Sequence, residues 1–188
     1  IIVDDALHDD FLAAFKTAIE GIRVGDPMAA DTFMGPLSSE RALQTLDAQV
    51  QDAMAQGAAV LVGGQRLERP GAWYAPTLLS GVTPEMRIFR EELFGPVAVV
   101  YRVGGEEEAI RLANDTAYGL GAVIQSTDLA RARRVAGCLE TGMVSINEAP
   151  GSAAELPFGG IKRSGFGREL GRDGMEEFVN RKVVKIGA

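Results

Sequence analysis

The sequence predicts an α/β fold, a mostly parallel sheet with helices on both faces. Strand-like and helix-like patterns alternate through the middle of the chain, the order produced when parallel strands are joined by crossover helices. Val97 to Val103 is a near-continuous apolar run, typical of a strand covered on both faces. The helical stretches each show a single apolar face.

Ile1-Ile2-Val3 reads as a short buried strand. From Asp9 a helix turns Phe11, Leu12, Phe15, Ala18, Ile19 and Ile22 inward, and Gly25-Asp26-Pro27 ends it. Ser38 is suited to cap a second helix, with Glu40 in its first turn, where the helix dipole favours an acid. Its inward face is Leu43, Leu46, Val50, Ala53 and Met54, and Gly57 closes it. Ala59 to Val62 is a strand ended by Gly63-Gly64. Trp73 to Leu79 is extended, and Pro76, which has no N–H to donate, puts it at a sheet edge. Glu106 to Ala113 is helical and Gly121 to Gln125 a strand. Thr127 caps a helix whose face is Leu129, Ala132, Val135, Ala136 and Leu139. Met143 to Ile146 is a strand, Met175 to Phe178 is helical, and Lys182 to Ile186 is a last strand. No internal repeat or low-complexity segment is present.

A length of 188 residues is one domain's worth and enough for a sizeable core. The chain starts at Ile1 rather than methionine and is read as part of a longer protein. Its formal charge of −7 argues against nucleic acid or an anionic membrane as partner. No apolar run approaches the ~20 residues of a membrane helix. Cys138 is the only cysteine, which excludes an internal disulfide and suggests a reducing, cytoplasmic setting. It follows Ala132, Val135 and Ala136 on a helical pattern and is expected to be a partly buried structural thiol. His8, the only histidine, falls in the acidic stretch Leu7-His8-Asp9-Asp10, read as a turn. One histidine and one cysteine make neither a zinc site nor a Ser-His-Asp triad, so no metal is expected.

Two runs carry chemistry. Leu156 to Gly171 packs Gly159, Gly160, Gly165, Gly167 and Gly171 around Lys162, Arg163, Arg168, Phe158 and Phe166. Such glycine density lets backbone turn sharply or approach something closely. The residues leave two readings open, an apolar wall of a substrate channel or a tight loop with two anchoring aromatics. The Gly-x-Gly-x-x-x-Gly spacing from Gly165 is not a dinucleotide fingerprint, since it comes late and no strand leads into it. The second run is Glu91-Glu92-Leu93-Phe94-Gly95-Pro96-Val97. Read alone, Glu91-Glu92 is first of all a solvated acidic pair.

Together with Val24-Gly25-Asp26-Pro27 and Gly35-Pro36-Leu37, these runs resemble the C-terminal part of an aldehyde dehydrogenase, over essentially the whole chain. The resemblance implies that residues 1–180 are the C-terminal portion of a catalytic domain. It implies that residues 181–188 are a strand joining an oligomerisation sheet of another subunit through Val183, Val184 and Ile186, in a dimer or tetramer. It implies NAD or NADP as cofactor, with Glu92 binding the nicotinamide ribose and Phe94 flanking the ring. A carboxylate has the acceptors for both ribose hydroxyls. Asn147 to Phe158 would form the mouth of the substrate tunnel, with Phe158 lining it. Ser152 falls where succinate-semialdehyde dehydrogenases place a serine that holds the substrate's distal carboxylate, and Pro157 to Asn180 also resembles that subfamily. The implied reaction is covalent: a cysteine thiolate attacks the aldehyde, hydride passes to the nicotinamide, and a glutamate-activated water hydrolyses the thioester. The family's nucleophile, in a Gly-Gln-x-Cys loop, its general base and its nucleotide-binding fold lie upstream of the stretch that Ile1 begins. No catalytic residue is therefore expected here, and this chain alone is expected to oxidise no aldehyde. The competing reading is a non-catalytic assembly domain or an inactive homologue. A Gly-Gln-x-Cys loop before Ile1 separates the two.

Overall fold

The computed structural model describes residues 1–187. Contacts gather into two compact units, one from Ile1 to Ala109 and one from Ile110 onward, where length alone suggests one domain.

The first unit contains β1 (Ile2–Asp4), α1 (Asp5–Glu20), α2 (Glu40–Ala55), β2 (Ala59–Val62), β3 (Thr77–Ser80), α3 (Arg87–Arg90) and β4 (Val97–Val103). They form a four-stranded sheet in the order β1-β4-β3-β2. β4 runs parallel to both β1 and β3, with Ile2 opposite Tyr101 and Thr77 opposite Val97. Only β2 is antiparallel, joined to β3 without a crossover helix. Side chains of a strand alternate between its faces. Leu78 accordingly joins Val3, Ile19 and Val100 with Phe11, Leu12 and Phe15 of α1, while Leu79 joins Leu43, Leu46 and Val50 of α2. Helices thus cover both faces, as the sequence predicts.

Local details depart from the sequence reading. Asp4 caps α1, its carboxylate accepting from the Ala6 amide at 3.1 Å, so the helix starts before Asp9 and takes in His8. His8 is buried there, not in a turn, with Nδ1 2.8 Å from an Arg102 nitrogen. Ser39, not Ser38, caps α2, accepting from Ala42 N at 3.1 Å. Ala18 and Met54 are exposed. β3 is an interior strand, not an edge. Pro76 is tolerated because it precedes the first paired residue, and Thr77 N makes the first bond, to Pro96 O at 2.8 Å. In β4 only Val100 and Val103 are fully buried, and Arg102 is exposed.

The boundary between the units falls within α4 (Glu106–Asn114). The second unit continues with β5 (Tyr118–Gly119), β6 (Gly121–Ile124), α5 (Leu129–Ala136), β7 (Met143–Ile146), β8 (Ile161–Lys162) and α6 (Gly171–Glu176). β6 and β7 are parallel, with Gly121 opposite Met143, and β5 and β8 are antiparallel. A two-residue strand therefore does lead toward Gly165, but its antiparallel pairing is not that of a dinucleotide-binding unit. Asp128, not Thr127, caps α5, accepting from Arg131 N at 2.9 Å. Leu129 is exposed, leaving Ala132 as the buried residue of that helix. α5 stops at Ala136, so Cys138 lies beyond its end and is exposed, not a partly buried thiol. Residues 181–187 form no strand with the rest of the described chain, and Val183, Val184 and Ile186 are exposed. Ala188, the last residue of the expected oligomerisation strand, lies outside the described residues. No helix among the described residues is long and apolar enough to cross a membrane.

Candidate functional site

Each unit carries a concave surface lined by site residues expected from the sequence. In the first unit it is built by the loop between α3 and β4. Glu91 N donates to Arg87 O at 3.1 Å, Gly95 N to Leu93 O at 2.9 Å and Val97 N to Gly95 O at 2.8 Å, so the loop is a succession of tight turns. Leu93 packs on the core beneath α2. Gly95 passes so close to Leu46 that a Cβ there would strike the Leu46 side chain. The loop is thereby pressed against α2, and its polar and aromatic side chains turn outward. Glu92 and Phe94 border a cleft of about 260 Å³ with Ser39, Arg41, Thr45 and Gln49. Phe94 is 74% exposed. The Glu92 carboxylate has no hydrogen-bond partner among the described residues. A free carboxylate beside an uncovered phenyl ring can accept two hydroxyls and receive a flat ring.

Glu91 and Glu92 are not a uniform solvated pair. Glu91 accepts from Arg87 Nε at 2.6 Å and from Gln49 Nε2 at 2.9 Å, and these bonds, the arginine's first, hold its carboxyl below the usual glutamate range. Gln49 was missed by the sequence reading. Its signal was a glutamine at a buried position of an otherwise apolar helix face, between Leu46, Val50 and Ala53.

In the second unit, Ser152 and Phe158 line a cavity of about 410 Å³ with Leu120, Gly121, Met143 and Ser145. Asn147 opens the loop at the end of β7 with φ of 56°, a conformation asparagine tolerates. Its amide closes on Ser126, accepting from Ser126 N at 2.8 Å and donating to Ser126 O at 2.7 Å. Phe158 is fixed by a reciprocal pair of main-chain bonds with Glu169, both 2.7 Å. Gly171 N donates to Ala154 O at 2.9 Å, so the far end of the glycine-rich run closes back on the Ser152 loop. The Ser152 hydroxyl is exposed and unpartnered among the described residues. Of the two aromatics in the run, Phe158 lines the cavity, whereas Phe166 is fully exposed and is not among its lining residues. The glycine run is thus both a tight loop and, through one phenylalanine, a cavity wall. Glu92 and Phe94 come together, as do Ser152 and Phe158, each pair within its own unit.

A sequence profile of the aldehyde dehydrogenase family matches residues 1–184. The chain belongs to the aldehyde dehydrogenase family. Over 185 residues this aldehyde dehydrogenase chain is 57% identical to a succinate-semialdehyde dehydrogenase [NADP(+)] of Deinococcus radiodurans, covering 98% of this chain and 39% of that protein. It is 44% identical to succinate-semialdehyde dehydrogenase [NADP(+)] 1 of Mycobacterium tuberculosis, covering 98% and 40%. Among solved structures, it is similar to succinic semialdehyde dehydrogenase from Streptococcus pyogenes in complex with NADP+, with TM-score 0.94, 42% identity and coverage of 100% and 41%. Betaine aldehyde dehydrogenase from Staphylococcus aureus in complex with NAD+ follows with TM-score 0.90, 40% identity and coverage of 95% and 36%. The chain therefore spans about two fifths of the length of the relatives it matches.

Proposed function

We propose that this chain is the portion of an NAD(P)-dependent aldehyde dehydrogenase that positions the nicotinamide end of the cofactor and one wall of the aldehyde site, and that the whole enzyme oxidises succinate semialdehyde to the carboxylate. The observation that carries the reading is the 57% identity, over 98% of the chain, to a protein named for that reaction. The cofactor named for the curated relatives favours NADP over NAD.

The residues present fit the cofactor. Glu92 offers two free acceptor oxygens for ribose hydroxyls, and the uncovered face of Phe94 suits a nicotinamide ring. When bound, the nicotinamide serves as hydride acceptor. Glu92 and Phe94 orient and hold. Ser152 donates its hydroxyl to the distal carboxylate of the aldehyde, and Phe158 covers the intervening methylenes. The nucleophilic cysteine and general-base glutamate are assigned to residues outside this chain. Cys138 takes no part, and its main-chain oxygen rather than its thiol is engaged, by Asn114 Nδ2 at 2.9 Å. Residues 181–188 are assigned to a strand that pairs with another subunit of a dimer or tetramer. The exposed Val183, Val184 and Ile186 supply the apolar edge for that pairing. One cysteine in 188 residues suits the cytoplasm.

Two substitutions in the full-length enzyme test the roles. Glu92→Gln keeps size and removes charge, and should cost roughly 1–3 kcal/mol of transition-state stabilisation, the scale of hydrogen bonds to charged groups. The loss should appear in single-turnover hydride transfer more than in thioester hydrolysis. Unchanged hydride transfer removes Glu92 from the ribose. Ser152→Ala should raise KM for succinate semialdehyde by the equivalent of about 1–2 kcal/mol and leave butanal, which lacks the distal carboxylate, nearly unaffected. Equal effects on both aldehydes reduce Ser152 to a shaper of its loop.

A further inference from the structure

We infer that Gln49 is a positioning residue for the cofactor, acting through the backbone that presents Glu92. This rests on the reading of Glu92 as the ribose-binding carboxylate. Gln49 is only 4% exposed, one amide in a helix face otherwise made of Leu43, Leu46, Val50 and Ala53. An amide in such a place is costly unless its hydrogen bonds are made. Its Nε2 makes two, to Glu91 Oε2 at 2.9 Å and to the main-chain oxygen of Glu92 at 3.4 Å. Arg87 Nε donates to the same Glu91 oxygen at 2.6 Å. α2, α3 and the loop that follows α3 therefore converge on one carboxylate oxygen. The tie reaches across 42 residues of sequence, so it fixes the loop against the helix rather than within itself.

The consequence falls on Glu92. Its own carboxylate is unpartnered, so nothing at the end of the side chain aims it. What aims it is the backbone, held on one side by the Glu91 clamp and at its carbonyl by Gln49. With those bonds made, the carboxylate stands in the cleft before a ligand arrives, and less ordering remains to be done on binding. Glu91, the half of the acidic pair that does not line this cleft, is the anchor for the half that does.

The test uses the full-length enzyme. Gln49→Met keeps chain length and removes both donors. The cofactor KM should rise and single-turnover hydride transfer should slow, together by roughly three- to tenfold, while the aldehyde KM stays within about twofold. On a Glu92→Gln background the same substitution should add less than about twofold, because residues that act as a unit are not additive. Glu91→Leu, at a site whose side chain is 43% exposed, removes the anchor without changing a core side chain and should move the same constants in the same direction. It carries the test if Gln49→Met does not accumulate as folded protein. A full additional loss on the Glu92→Gln background, or an equal rise in aldehyde KM, overturns the inference. If Glu92→Gln is impaired but Gln49→Met and Glu91→Leu are not, the positioning role alone is wrong. If Glu92→Gln transfers hydride normally, the ribose assignment fails and the inference falls with it.

Discussion

Leu78→Ala is expected to destabilise the protein by about 2–5 kcal/mol, the range for large-to-small changes in a packed core, and to fall in the upper half of it. Leu78 has no exposed surface and sits on an interior strand, with β4 on one side and β2 on the other. The cost of such a change depends on how far the surroundings can collapse into the space left. Here the neighbours in the plane of the sheet are held by ladder hydrogen bonds, and the cover on that face is the Phe11, Leu12 and Phe15 side of α1. Closing the cavity would require the helix to move as a body. Urea denaturation, read as a lower midpoint at unchanged slope, measures the effect. A loss below about 1 kcal/mol would mean that the α1 face is loosely packed.

Gly142→Ala is expected to cost about 3 kcal/mol, the top of the usual range for overpacking. A Cβ at Gly142 would fall on the Gly159 carbonyl oxygen and within 2.8 Å of Gly159 C and Gly160 Cα. All three are backbone atoms, so no side chain can swing aside. The strain passes to Gly159-Gly160, the residues after Phe158, and the aldehyde KM of the full-length enzyme should rise as stability falls. Gly137→Ala is the control, because Gly137 has ordinary helical backbone and a Cβ there meets nothing closer than 3.5 Å. Thermal unfolding and aldehyde kinetics of the pair decide the matter. Equal behaviour of the two variants would refute the close approach at Gly142.

The alternation of elements and the Val97–Val103 run made the class of fold legible, because both are local patterns imposed by burial. The cap residues were misplaced by one at Ser38-Ser39 and Thr127-Asp128 for a physical reason. Either residue of each pair can accept from the helix amides, and the choice depends on which one takes extended backbone, as Ser39 does at φ −165°. Pro76 misled because the rule concerns paired N–H groups, and the pairing starts one residue later. The boundary inside α4 left no signal, since a continuous helix has neither the composition nor the glycine and proline of a linker. Glu92, Phe94, Ser152 and Phe158 are assigned to a site only through likeness to a family. The residues alone made Glu91-Glu92 a solvated pair, and what divides the pair is a glutamine 42 positions away. Contacts of that span are decided by how helices dock, which no local spacing encodes.

The side chains proposed to grip the cofactor are held by hydrogen bonds internal to the first compact unit, and those proposed to meet the aldehyde by bonds internal to the second. Heredity can therefore act on them separately. A recombination crossover within α4 would carry a new set of aldehyde-facing residues into an old cofactor clamp and leave every bond of that clamp as it was.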